Sequence, residues 1–494
     1  MPLETDRWAD AAYAYITNMS CQDAILTTEE DCRQLTSVPK AEMNFYSALP
    51  TSEGKLLAVL PDGPLNRVGA HDAVLVLDPY PKANLGHLLV VFFADVGWTE
   101  MQCELNGGRY IGNNVCLTLA LRKRCHNRLL ETKWKLKYLS KQNRNKQCEI
   151  NFFPLVHVAG EMPSQRRQRL QCRHYLRGFA ACPSLRPRNE TSTLLCDPLQ
   201  TNKYGCSITG QTISVRCRLF ERCDHAVLLS GGWDGLTDRP LFRENVLGMY
   251  QALEKNGFPG GNIKVFYSNG NIGLEENDNS RPQELYPAAF KLPIRYHIRK
   301  ICQSLHCADS FVIYLNSPTK SDGSMFLWDI DGNGQADENE IYSVKELLYD
   351  LQDCAAQQVY IIADQSYSGQ LVHALERSDR HENVIAFVSG AEHEYSWNAE
   401  YTSKWIAQAS GTRHTDTCVG DMYEALRNQM NSSNPITFDG SNGTINTTLF
   451  GAPCDVRPPF TQHELLKSFF GCQNLPTSIW LRRRRTFEEE TEDE

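Results

Sequence analysis

The stretch Val359-Tyr-Ile-Ile-Ala-Asp-Gln-Ser-Tyr-Ser-Gly-Gln370 passes from a run of apolar residues straight into small polar ones. The apolar run Val359–Ala363 stops at Asp364, Ser366-Tyr-Ser-Gly369 follows, and Leu371 and Leu375 then recur at helical spacing. A short run that is apolar at every position suits a strand covered on both faces, which is how parallel sheets are buried. A strand that ends at a small nucleophilic residue and turns through glycine into a helix is how several α/β hydrolases expose a nucleophile. Ser366 is therefore the first candidate for chemistry, and the sheet around it the first candidate for the fold.

The same grammar extends in both directions from this stretch. Upstream, Ala226–Leu229, Ile263–Tyr267 and Phe311–Leu315 read as short buried strands, and Val384–Val388 reads as the strand after it. Between them, apolar residues at helical spacing mark helices: Phe242, Val246, Leu247, Tyr250 and Leu253; then Ile294, Ile298, Ile301 and Leu305; then Val344, Leu347, Leu348 and Leu351. Val419, Met422, Tyr423, Leu426 and Met430 give a late helix. Strands alternating with amphipathic helices predict a mostly parallel sheet covered on both faces, with sites gathered at the carboxyl ends of the strands. Those ends are Ser230–Trp233, Asn316–Lys320, Asp364–Tyr367 and Ser389–Glu392.

In this order the four strand ends resemble the caspase-haemoglobinase fold, most closely the legumain (asparaginyl endopeptidase) family, over about residues 225–410. The resemblance rests on Ala226–Gly232 leading to Gly248-Met-Tyr-Gln251, on Asn256-Gly-Phe-Pro followed by Asn262-Ile-Lys-Val, on Asp309-Ser-Phe-Val-Ile-Tyr314, and on Asp364-Gln-Ser-Tyr-Ser-Gly369. It implies a caspase-haemoglobinase-like sandwich in which one strand ends in His-Gly and a later one in an acidic residue and a catalytic Cys. Here Pro318-Thr319 occupies the His-Gly position and Ser366 the Cys position. Proline offers no base, and a serine hydroxyl needs one to become nucleophilic. Removing one member of a comparable dyad costs about 10⁶ in turnover. Two readings follow. One is a catalytically degenerate pseudopeptidase. The alternative is a hydrolase that uses Ser366 with His393 as base, oriented by Glu392 or Asp364.

Between the two degenerate positions lies Asp329-Ile-Asp-Gly-Asn-Gly-Gln-Ala-Asp-Glu-Asn-Glu340. Asp329, Asp331, Asn333, Asp337 and Glu340 stand at positions 1, 3, 5, 9 and 12 of an EF-hand-like loop, with Gly334 at the sharp turn and the Gln335 carbonyl at position 7. Carboxylates crowded into so short a loop repel one another unless a hard cation lies among them, so Ca²⁺ is expected. Ala336 replaces the usual aliphatic residue, and Phe326–Trp328 reads as strand where an EF-hand has its entering helix. An acidic, solvated loop is the blander alternative.

The chain has 494 residues, enough for two or three domains, and a mild net charge of −9 that gives no sign of a nucleic-acid-binding surface. Its 18 cysteines divide into twelve between Cys21 and Cys223 and six between Cys302 and Cys472, without C-x-x-C spacing. Even counts suit disulfides and an oxidising compartment, and spacing alone leaves their pairing open. Sequons at Asn18, Asn189, Asn431, Asn442 and Asn446 agree with a secreted or lumenal glycoprotein. Opposing it, Met1-Pro-Leu-Glu-Thr-Asp-Arg-Trp shows no signal peptide. No apolar run is long enough to span a membrane.

Residues 1–224 read as a cysteine-rich, β-rich domain, with Cys103 and Cys116 bracketing a glycine-rich loop and a basic run from Arg122 to Lys146. Residues 225–455 form the α/β domain. Residues 456–494 form an extension with a basic run, Arg482-Arg-Arg-Arg485, that is either a processing site or a solvated patch, before an acidic tail that is expected to be disordered. The function expected of the whole is binding of a protein or peptide partner.

Overall fold

The computed structural model describes residues 2–21, 29–49, 54–59, 61, 69–84, 86–120, 153–161, 167–187, 224–256, 258, 260–275, 278, 280–303, 310–356, 358–410, 418–440, 445, 448–449 and 452–453. The extension 456–494 with its basic run, the basic run 122–146, and the sequons at Asn189, Asn442 and Asn446 lie outside the described residues. The chain forms two compact units. The first comprises Met1–Ser184 with Asp331–Ala336, and the second Leu185–Ile330 with Asp337–Glu494.

In the first unit, strands β1 (Asn44–Ala48), β3 (Ala73–Asp78), β4 (Val90–Val96), β5 (Arg109–Tyr110), β6 (Val115–Leu119) and β9 (Gln171–Cys172) make an antiparallel sheet in the order β5-β6-β4-β3-β1-β9. A smaller sheet joins β2 (Leu56–Val59), β7 (Leu155–Val158) and β8 (Arg167–Gln168). The β-rich character expected of this half is present. Two helices, α1 (Pro2–Thr17) and α2 (Glu29–Ser37), stand beside it and were not expected. Trp8, Ala9, Ala12 and Ile16 repeat at helical spacing and bury against Phe45, Leu75 and Phe92. Disulfides join Cys21 to Cys32, Cys103 to Cys116 and Cys172 to Cys182.

The second unit holds the parallel sheet that the alternation predicted. Its order is β12-β11-β10-β13-β16-β17-β18, built from β10 (His225–Ser230), β11 (Ile263–Tyr267), β12 (Glu284–Tyr286), β13 (Ser310–Leu315), β16 (Gln358–Ala363), β17 (Val384–Val388) and β18 (Ile436–Asp439). Every pairing is parallel except that of β17 with β18. Side chains alternate between faces, so the strands are apolar on both. Val227, Leu229, Ile313, Ile361 and Ala363 share one core with Ile298 of Lys291–Cys302, Leu347 of Val344–Leu351 and Leu371 of Gly369–Leu375. Opposite them Phe387 packs on Trp405 and Tyr423, of helices Glu400–Ser410 and Val419–Arg427, with ring centroids 5.0 and 5.9 Å apart. Each such side chain contributes roughly 1.5–3 kcal/mol on burial. A fourth disulfide, Cys302–Cys354, ties the end of the helix Lys291–Cys302 to the segment just after Val344–Leu351.

Candidate functional site

Register brings the first strand ends together. Leu315 pairs with Ala363, so Asn316 and Asp364 leave the sheet side by side, and the Asn316 amide donates to the Asp364 carbonyl at 2.7 Å. The Asp364 side chain is fully buried. Its carboxylate accepts from the Ser396 hydroxyl, the Thr402 backbone N–H (3.0 Å) and the Thr402 hydroxyl (2.6 Å). The Tyr314 hydroxyl lies 2.8 Å from Thr402 Oγ1. Burial pushes the Asp364 carboxyl above its ordinary range, against the pull of these donors. Burial also raises the Tyr314 hydroxyl, with the Asp364 charge adding to it.

Ser366 follows two residues on and is wholly enclosed. Its Oγ accepts from the Ser396 N–H at 3.2 Å, and its carbonyl accepts from the Thr319 hydroxyl at 2.6 Å. The next residue, Tyr367, sits at φ 58°, a left-handed conformation that costs a bulky residue about 1–2 kcal/mol. Gly369 then starts the helix in a space that only glycine fits, because a Cβ there would lie 2.4 Å from the Ala391 carbonyl carbon. Pro318 is buried, and its carbonyl accepts from the Phe326 N–H at 2.8 Å. His393 is exposed on the loop after β17, and its neighbour Glu392 pairs with His373 at 2.9 Å. As arranged, the Ser366 hydroxyl faces protein rather than solvent.

Among solved structures, caspase-1 from Spodoptera frugiperda is similar to this chain at a TM-score of 0.30 and 11% identity, over 44% of this chain and 89% of that one. No protein-family model and no curated protein matches the sequence.

The end of β10 is built by a different set of residues. Trp233 is fully buried at φ 59°, its N–H donates to the Leu327 carbonyl at 3.1 Å, and its carbonyl accepts from the Asp329 N–H at 2.8 Å. The acidic loop thus starts from a backbone already fixed to a strand end. The β14 (Met325–Phe326) and β15 (Ile341–Tyr342) hairpin flanks it, and a short 3₁₀ turn, Glu338–Glu340, closes it. Asp329, Asp331 and Glu340 bring carboxylate oxygens within 4.8 Å of one another, and Asp337 is not part of that trio. Glu340 accepts from the Ile330 N–H (2.7 Å) and the Asp337 N–H (3.1 Å). Asn333 bonds to Asp331 through its amide nitrogen at 2.7 Å, while its Oδ1 accepts from the Gln335 N–H at 2.6 Å. Gly334 sits at φ 74°, where a Cβ would come within 2.4 Å of Leu155 Cβ.

Sequence reasoning missed a third cluster, around Asp238 on the loop after Trp233. Asp238 is fully buried and paired with Arg186 at 2.5 Å, and the Ser268 hydroxyl donates to it at 2.6 Å and the Tyr267 hydroxyl at 3.2 Å. No local signal marks it, because Arg186 lies in a segment without helix or strand and Asp238 in a turn.

The candidate glycosylation residues Asn18 and Asn431 are both exposed. The Asn431 backbone N–H donates to Glu400 at 3.1 Å. No helix among the described residues is long and apolar enough to cross a membrane.

Proposed function

We propose that this chain is a secreted or lumenal glycoprotein whose α/β unit is a caspase-haemoglobinase-like, legumain-like pseudopeptidase that binds a protein or peptide partner. The enclosure of Ser366 carries this reading. A serine nucleophile must reach both a substrate carbonyl and a base. The Ser366 hydroxyl instead accepts a backbone N–H within the protein, and Pro318 stands buried where the resemblance calls for a histidine. What remains at the strand ends is a buried, hydrogen-bonded scaffold that could serve binding. The disulfides and the exposed sequon asparagines support a secretory route.

The same reading includes a calcium ion on the acidic loop. Asp329, Asp331 and Glu340 offer hard oxygen donors, and their convergence is the arrangement such a cation favours. Because Asp329 is bonded to the Trp233 carbonyl through its own N–H, calcium would act on the end of β10 as well as on the loop.

A fluorophosphonate probe tests the catalytic half of the reading. No labelling that depends on Ser366 is expected, and labelling abolished by Ser366→Ala would overturn the pseudopeptidase and establish Ser366 as a nucleophile. Calorimetry tests the calcium half. Binding is expected for the full chain and is expected to be lost in Asp331→Ala; equal binding by the two would remove calcium from the proposal.

A further inference from the structure

Arg186 is held as a ligand is held. Its guanidinium is 1% exposed and meets three groups of the second unit: Nη1 donates to Asp238 Oδ2 (2.5 Å) and to the Tyr267 hydroxyl (3.0 Å), and Nη2 donates to the Asn271 carbonyl. The cation also lies over the Tyr267 ring, 5.1 Å from its centroid. Tyr267 and Ser268 both bond to the same Asp238 carboxylate, so the acceptor is oriented by two hydroxyls as well as by the arginine. Planar donors matched by a fixed carboxylate, a carbonyl and an aromatic face select guanidinium over ammonium.

The elements that make this pocket are also held by contacts other than those to Arg186. Asp238 is set by its own turn, in which its N–H donates to the Asp234 carbonyl at 2.9 Å, and Tyr267 ends β11. Gly232 sits at φ 113°, where an added Cβ would lie 3.2 Å from the Ser268 hydroxyl oxygen and 3.4 Å from the Asp238 carboxyl carbon. Arg186 itself comes from residues 181–187, which carry neither helix nor strand. A buried ion pair is a poor stability device, since apolar packing of the same volume does as well or better. The pocket also stands at the carboxyl ends of β10 and β11, where parallel sheets collect ligands.

We propose that Arg186 fills in cis a guanidinium-recognition pocket whose ligand in trans is the arginine side chain of a partner peptide. This rests on the peptide-binding reading above and adds the class of side chain and the means of control. Beyond Cys182, which its disulfide to Cys172 anchors, residues 183–187 are an autoinhibitory strap, and partner binding requires them to lift.

The test uses the full chain carrying Arg186→Ala. Calorimetry is expected to show saturable binding of acetyl-Gly-Arg-Gly-amide, with the lysine analogue weaker by about ten-fold or more because an ammonium lacks the planar fork. Wild type, with the pocket filled, is expected to bind the arginine peptide more weakly than the variant. A folded variant that takes up neither the arginine peptide nor methylguanidinium overturns the proposal. If the variant does not fold alone, recovery of its near-ultraviolet circular dichroism by methylguanidinium and not by methylammonium supports the pocket, and recovery by neither overturns it. Labelling at Ser366 is independent of Arg186, so failure here is distinct from failure of the pseudopeptidase reading.

Discussion

Asp238 and Asp364 are both sealed from water at the carboxyl end of one sheet, and their partners differ in kind. Asp238 faces a cation, Arg186, with two hydroxyls in support. Asp364 faces only dipoles, the hydroxyls of Ser396 and Thr402 and one backbone N–H. Burial raises both carboxyls, and only at Asp238 does a neighbouring positive charge oppose it. The lesson is that burial alone does not say what a carboxylate contributes. A paired charge makes each partner indispensable to the other, whereas a charge held by neutral donors can be exchanged for an amide.

The same substitution at both positions should separate the two carboxylates most clearly. Asp238→Asn takes the carboxylate away from the buried Arg186 guanidinium, and one-sided removal from a buried pair costs about 3–5 kcal/mol. Urea unfolding at pH 7 should show that loss as a lower midpoint at unchanged slope. A cost below about 1 kcal/mol, the level typical of surface pairs, would mean that the pair contributes nothing as a pair.

A third buried group, on the helix Lys291–Cys302, separates charge from burial. His297 is fully enclosed beside Phe266 and Tyr286, and neither ring nitrogen meets a hydrogen-bond partner among the described residues. Burial first, then the Lys264 charge, lowers its pKa from 6.5 to about 4, against a weaker opposite effect of Glu284. The unfolded chain therefore takes up the proton first as pH falls. The stability from keeping His297 neutral is fully present above 6.5 and is lost as pH drops toward 4. The shift corresponds to at most about 3 kcal/mol. His297→Phe should flatten the fall of the urea midpoint across that window, and an unchanged slope would assign the acid sensitivity to other groups.

How much of this was legible in the sequence follows from the same physics. The strands β10, β11, β13, β16 and β17 announced themselves because central parallel strands are apolar at most positions. The edge strands β12 and β18 did not. Glu284-Leu-Tyr286 and Ile436-Thr-Phe-Asp439 are short and only half buried along their length, so their polar residues read as loop. Asp364, Ser366 and Pro318 were found because a motif spacing carries them. Arg186 was not, because its partners lie 52, 81 and 85 residues further along the chain and meet it only after folding. The turn around Ser366 could be read from its glycine and serines, but the enclosure of its hydroxyl depends on Ser396, from another loop.

A smaller effect probes the neutral network itself. Tyr314→Phe removes the hydroxyl that meets Thr402 Oγ1 and leaves a buried lone pair unmatched, a loss of about 1–2 kcal/mol. The same urea experiment reads it. A larger loss would mean that Tyr314 holds the Asp364 network through more than one hydrogen bond.

The smallest effect is expected at Asp364→Asn, and it decides whether the two carboxylates differ as argued. The amide oxygen can still accept from Thr402, and the amide nitrogen can donate to the Ser396 oxygen, so shape and bonding survive. What disappears is a charge that burial disfavours. Because the folded Asp364 carboxyl titrates above its ordinary value of 3.8, the unfolded chain loses that proton first as pH rises. Native stability from this group is therefore greatest below 3.8, falls as pH rises through the raised folded value, and is flat above it. The variant lacks this fall. Its stability relative to wild type should rise over that interval and lie within about 1 kcal/mol of wild type, or above it, at pH 7. If Asp364→Asn instead loses as much as Asp238→Asn, the Ser396 and Thr402 donors stabilise an ionised carboxylate as strongly as an arginine does, and the distinction between the two strand ends falls.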